Sequence, residues 1–288
     1  MLTKVAVTAI APSSVVAGRL VIAAIVLGFA LTAVRRRLPG CGRHWMFFIA
    51  MAVMGNCLPF WLISWGQQGI DSGVAGILMA AMPLATLVLA HVFVEGERLT
   101  VVRAGGFATG FAGIVVLVGP QAFMELTGAG SDLVHELSVL AGALCYAVAT
   151  IIARRRPDSD ALVAATGVAI AASLVMAPVA VIVAPMSMPV SMADAASAPL
   201  VSRIPLAGLA SIAILGVVST ALATVVYFKL ITLAGPSFLS LINYLIPLWA
   251  VLMGMIALNE QPDWRALGAL ALVLSGIALS EFRRPVAK

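Results

Sequence analysis

Arg19 is the one cation set well inside an apolar run, about seven residues, or ~10 Å, from the outer end of its span. A guanidinium carried into hydrocarbon costs about 2.5–3.5 kcal/mol on insertion scales, so it faces a partner or a wet cavity. Two chemistries satisfy it equally: anchoring a carboxylate or phosphate on a solute, or tying helices together through backbone carbonyls. Neutral polar and aromatic groups in other apolar runs could share such a site. Asn56 and Trp61 lie on one run, with Pro59 able to kink it between them, and Tyr146, Tyr227 and Asn243 lie on three more. Donors and acceptors with aromatic walls suit a zwitterionic or mildly amphipathic solute. Interhelical hydrogen bonding is the competing use of each.

Other chemistry is poorly supplied. All twelve Asp and Glu residues fall in loops or at span ends, so no acid stands ready as counter-ion and proton carrier for a cationic solute. His44 and His135 lie at or outside span ends, which leaves only His91. The three cysteines, Cys41, Cys57 and Cys145, have no metal-binding or disulfide spacing. These residues predict no catalytic cluster, no metal and no cofactor, and the chain reads as a non-enzyme.

The elements that must position Arg19 are membrane helices. The chain is 62% hydrophobic and 10% charged, with mean hydropathy +1.11; soluble domains carry about 25% charged residues. Apolar stretches long enough to span a bilayer recur at about 12–34, 45–67, 72–94, 102–120, 136–153, 161–184, 206–231, 237–258 and 264–282. Backbone amides in hydrocarbon must pair internally, so these nine stretches predict helices. Thirteen Lys and Arg residues gather in loops on one face, and only Arg203 and Arg265 lie on the other. By the positive-inside rule that face, and the C-terminus with it, is cytoplasmic. The basic balance thus reports topology and predicts no nucleic-acid partner.

The same punctuation occurs twice. Glu97, Gly105 and Gly113 recur 163 residues later as Glu260, Gly268 and Gly276, and Pro83 answers Pro247 with a shift of 164. Internal repeats of this kind build the midplane sites of many secondary transporters, and matching interruptions such as Pro83 and Pro247 point to the site. The glycines suit close helix packing. The glutamates, just before helix starts, suit turn stabilisation or gating. Residues 1–120 form the first repeat, 121–135 an external linker, 136–284 the second repeat and 285–288 a cytoplasmic tail. The second repeat has five spans and the first has four. Met1–Lys4 align with the last turn of a helix that is otherwise missing, which suggests a late start. With five helices per repeat, the two copies are inverted in the membrane.

The stretch GNCLPFWLISWGQQGIDSGVAGILMAAMPLATLVLAHVFVEGERLT (55–100), the run KVAVTAIAPSSVVAGRL (4–20) and the run LINYLIPLWAVLMGMIALNEQP (241–262) resemble EamA-type members of the drug/metabolite transporter superfamily. The resemblance covers essentially the whole chain. It implies an all-α polytopic fold of ten helices in two inverted five-helix repeats, of which this chain would show about nine. It also implies export of small metabolites or amino acids across a bacterial inner membrane. The reading takes a small solute and the lipid bilayer as partners and leaves a homodimer open. An exchanger of phosphorylated or nucleotide-linked anions is the alternative, as is a non-transporting membrane protein if the shortened chain is genuine.

Overall fold

The computed structural model describes residues 2–8, 10–40, 42–94, 100–125, 131–153, 160–183 and 206–281, with backbone alone at 103, 117–125, 131–132, 231–245 and 280–281. All its regular elements are helices: α1 (Leu2–Val7), α2 (Pro12–Ala33), α3 (Arg43–Gly66), α4 (Ser72–Phe93), α5 (Val101–Glu125), α6 (Ser131–Ala153), α7 (Ala161–Val183), α8 (Leu206–Gly216), α9 (Ala223–Leu258) and α10 (Trp264–Glu281). A π-helical segment, Val217–Leu222, joins α8 to α9, and a second, Val53–Cys57, lies inside α3. Six of the described helical stretches are long and apolar enough to cross a membrane.

Helix extends into two of the expected connections. Helix occupies both ends of the segment expected as a linker over 121–135, because Gln-Ala-Phe-Met-Glu at 121–125 suits a helix and only the glycines at 128 and 130 disfavour one. The backbone is also helical throughout Ala223–Leu258, so the connection expected at 232–236 is itself helical.

The chain forms two compact units, and each draws on both repeats. One holds residues 2–68 and 152–239, the other 69–151 and 240–288. In the first unit α2 packs along α7, α3 packs on α7, and α8 packs on α2. The last two contacts are copies of each other. A side chain at Gly18 would meet Ile212 at 3.0 Å, and one at Gly167 would strike the Phe48 ring. Gly18 and Gly167 are 149 residues apart, and Phe48 and Ile212 are 164 apart. Thus glycine on the second helix of each repeat receives a large side chain from the third helix of the other. Lacking a Cβ, glycine lets the facing side chain approach the backbone, which is how helices gain van der Waals contact in lipid.

The second unit repeats the theme between α5 and α10. A Cβ on Gly113 would lie 2.9 Å from the Ala269 carbonyl oxygen, and one on Gly276 would lie 2.6 Å from the Gly106 oxygen. Gly105 and Gly268, the other members of the repeated pattern, face open space. Helix packing therefore explains Gly113 and Gly276 but not the other two.

Glu260 does something its sequence position does not suggest. It reaches α4, where its Oε1 accepts from Ser72 N at 2.9 Å and its Oε2 from Gly73 N at 3.1 Å. Free N–H groups and the positive end of the helix dipole make a helix start a natural seat for a carboxylate. Asn259, in the left-handed conformation (φ 53°), turns the chain out of α9, and Gly254 lacks the Cβ that would collide with the Glu260 carboxylate. Glu97, its repeat partner, lies outside the described residues. The helix break beside Pro83 falls at Ala80, where the ring's missing N–H and its bulk disrupt the preceding turn. Pro247 sits in uninterrupted helix, its backbone against Gly76.

Two stability outcomes follow, both read as thermal unfolding in detergent. Gly276→Ala, meeting backbone that no rotamer can move, is expected to cost about 1–3 kcal/mol, whereas Gly268→Ala leaves stability unchanged or slightly higher. Glu260→Ala removes the acceptor for two helix-start amides and is expected to cost about 1–2 kcal/mol. Equal behaviour of the two glycine variants, or no loss on removing the carboxylate, would contradict these contacts.

Candidate functional site

Arg19 lies in the middle third of α2, with only 6% of its surface exposed. Its Nε and Nη2 donate to the Thr220 hydroxyl at 3.1 and 2.9 Å, and its guanidinium carbon stands 3.7 Å from the centre of the Phe60 ring. The Thr220 hydroxyl has one proton, and it goes to the Leu215 carbonyl at 2.8 Å. With that proton committed, the oxygen presents its lone pairs to the arginine. A cation buried in apolar surroundings thereby gains two charge-assisted bonds and an aromatic face.

Thr220 lies in Val217–Leu222, where the widened turn lets its side chain bond the carbonyl five residues back. Asn56 lies in the other π segment and does the same, its Nδ2 donating to Met51 O at 3.4 Å. Asn56 and Thr220 are 164 residues apart, as are Met51 and Leu215. The two repeats thus carry equivalent defects, each with a polar side chain folded back over it. Such bulges occur often at functional sites. The π segment of α3 packs on α7 and that of the second repeat packs on α2. Arg19 breaks the equivalence, because the residue 149 positions on is Val168.

The other expected site residues divide. Asn56 and Arg19 are both buried in the first unit, and Phe60, which faces Arg19, lies one helical turn beyond Asn56. Trp61 is half-buried beside Phe60, but it is the phenylalanine that covers the guanidinium. Tyr227 is half-buried in the same unit and stacks edge-on against Phe228, with ring centres 5.5 Å apart. Tyr146 is half-buried in the second unit, and the Asn243 side chain lies outside those described. Sequence reasoning missed Thr220 and Phe60. The signal for Thr220 was present, because shifting Asn56 by the interval between the prolines lands on it.

Comparison with known proteins agrees with this architecture. The profile of the EamA-like transporter family matches residues 1–119 and 134–282. The chain belongs to that family. A solved crystal structure superposes on this EamA-like chain with a TM-score of 0.64 at 20% identity, covering 97% of this chain and 91% of the other, which establishes likeness of fold. The uncharacterized transporter YoaV of Bacillus subtilis is 28% identical over 136 residues, 47% of this chain and 45% of its own length. A chloroplastic WAT1-related protein of Arabidopsis thaliana is 26% identical, over 94% of this chain and 63% of its own. The chain therefore spans about half to two thirds of these two relatives. A probable terminal-alkyne amino-acid exporter of Streptantibioticus cattleyicolor is 26% identical over 76% of this EamA-like chain and 67% of its own length.

Thr220→Val keeps the shape of the side chain and removes the acceptor. It is expected to lower stability by about 1.5–3 kcal/mol, and Thr220→Ser to restore most of the loss. Denaturation of the two purified variants tests this, and a neutral Thr220→Val would show that the arginine does not depend on the hydroxyl.

Proposed function

We propose that this EamA-like protein is a secondary transporter that exports a small metabolite or amino acid across a bacterial inner membrane by alternating access, with its C-terminus in the cytoplasm. One observation carries the reading. The packing contacts of the two repeats are copies of each other, and the buried cation Arg19 sits where the copies differ. Inverted repeats with equivalent contacts can exchange conformations, and that exchange moves a site from one side of the membrane to the other. The name of the Streptantibioticus relative, a probable exporter of an amino acid, supports the same direction and solute size.

In this reading Arg19 anchors a negative group on the solute, with Phe60 and Trp61 as apolar wall and Asn56 and Thr220 as the polar groups beside it. A bound carboxylate replaces the Thr220 oxygen as acceptor, so the guanidinium trades one charge-assisted pairing for a stronger bidentate one. Tyr227 extends the proposed site within the same unit, Tyr146 and Asn243 are the candidates contributed by the other unit's own helices, and Glu97 and Glu260 with Pro83 and Pro247 serve the conformational exchange. A phosphorylated anion would call for further cations beside Arg19.

Cells overproducing the chain, compared with cells making equal amounts of Arg19→Ala, test the proposal through the solutes in their medium. Accumulation of one solute class, at least several-fold above the variant, is the expected result. Equal media across a broad metabolite panel would remove the export reading. A C-terminal fluorescent reporter that lights only outside the cytoplasm is expected to stay dark.

A further inference from the structure

The loop after α2 is built around a break in local conformational preference. Arg35 adopts the left-handed conformation (φ 56°) at the position just past the helix, which glycine fills most easily. Around it the chain ends α2 with the paired bonds of a helix stop, Arg35 N to Thr32 O at 2.9 Å and Arg36 N to Leu31 O at 3.1 Å. An arginine held there is strained, and strain of this kind clusters at functional positions. The loop is also pinned, because Trp45 Nε1 donates to Pro39 O at 3.1 Å.

The pinned loop, with the starts of α3 and α7, encloses an open recess of about 330 Å³ lined by Arg35, Arg36, Arg37, His44 and Asp160. Asp160 is the one acid in this lining among the described residues, and its Oδ1 accepts from Leu162 N at 2.8 Å, capping α7. Three arginines against one carboxylate make the described lining net positive. Exposed apolar side chains flank it in sequence on both sides: Phe29, near the end of α2, is 76% exposed, and Met46, in the first turn of α3, is 74% exposed. A headgroup-sized basic recess with exposed apolar side chains close by in sequence, at the end of an apolar helix of membrane-spanning length, matches one molecule on both counts.

We propose that this recess is a binding site for an anionic phospholipid of the surrounding bilayer. Its headgroup phosphate is held by Arg35, Arg36 and Arg37, and its acyl chains lie along Phe29 and Met46. Arg35 accepts its backbone strain because that conformation directs a third guanidinium to the phosphate. The proposal is independent of what the protein transports.

Native mass spectrometry of the detergent-purified chain, stripped of lipid and then given phosphatidylglycerol or phosphatidylcholine, tests it. The expected result is one retained phosphatidylglycerol per chain, with phosphatidylcholine held at least about tenfold more weakly and R35Q/R36Q/R37Q losing the preference. Arg265→Gln, at a different helix start, keeps it. Arg35→Gly alone separates the proposal from a folding effect: thermal stability is expected to rise while lipid retention falls. Equal retention of the two lipids, unchanged preference in the triple variant, or Arg35→Gly retaining lipid as well as the parent would each overturn the proposal. So would displacement of phosphatidylglycerol by equimolar inorganic phosphate, which would make the recess a soluble-anion site.

Discussion

Hydrocarbon offers a polar group nothing to bond, and each feature of this chain answers that constraint. The backbone pays its own hydrogen bonds by staying helical. Where it departs from the regular helix, at Val53–Cys57 and Val217–Leu222, the departure is covered by a side chain that bonds the carbonyl five residues back. Arg19 is tolerated for the same reason, since Thr220 and Phe60 supply what water would. Without Thr220 the guanidinium loses two of its bonds.

The duplication gives this arrangement its form. Glycine against a large side chain recurs at Gly18 with Ile212 and at Gly167 with Phe48, and close backbone approach recurs at Gly113 and Gly276. Because each compact unit mixes elements from both repeats, these paired contacts hold one repeat against the other within each unit. The copies are not identical, because one repeat carries Arg19 where the other carries Val168, and a buried charge therefore stands on one side of the duplication only.

Much of this was legible in the residues. Hydropathy and charge placement announced membrane helices, the repeated Glu, Gly and Pro announced the duplication, and Arg19 stood out because a charge within an apolar run needs an explanation. Other features depend on pairings that separation along the chain conceals. Glu260 reads as a local turn residue, yet its carboxylate seats on a helix start 188 residues away. Thr220 looked unremarkable because threonine is common in membrane helices, and only its relation to Asn56 marks it. Gly105 and Gly268 repeat as faithfully as Gly113 and Gly276, yet a Cβ on either would meet nothing within 4 Å. Spacing identifies a face of a helix but not which part of that face another helix reaches.

The bond from Arg19 to Thr220 spans 201 residues. At about 5–20 residues per second of synthesis, the arginine is made on the order of 10–40 s before its acceptor exists. Throughout that interval α2 carries a cation without its Thr220 acceptor, and α7, along which it packs, also arrives late. The Phe60 face is made sooner, because it belongs to the same repeat. The surroundings of Arg19 are therefore assembled in two instalments, an aromatic face first and the hydroxyl only when the second repeat has been made.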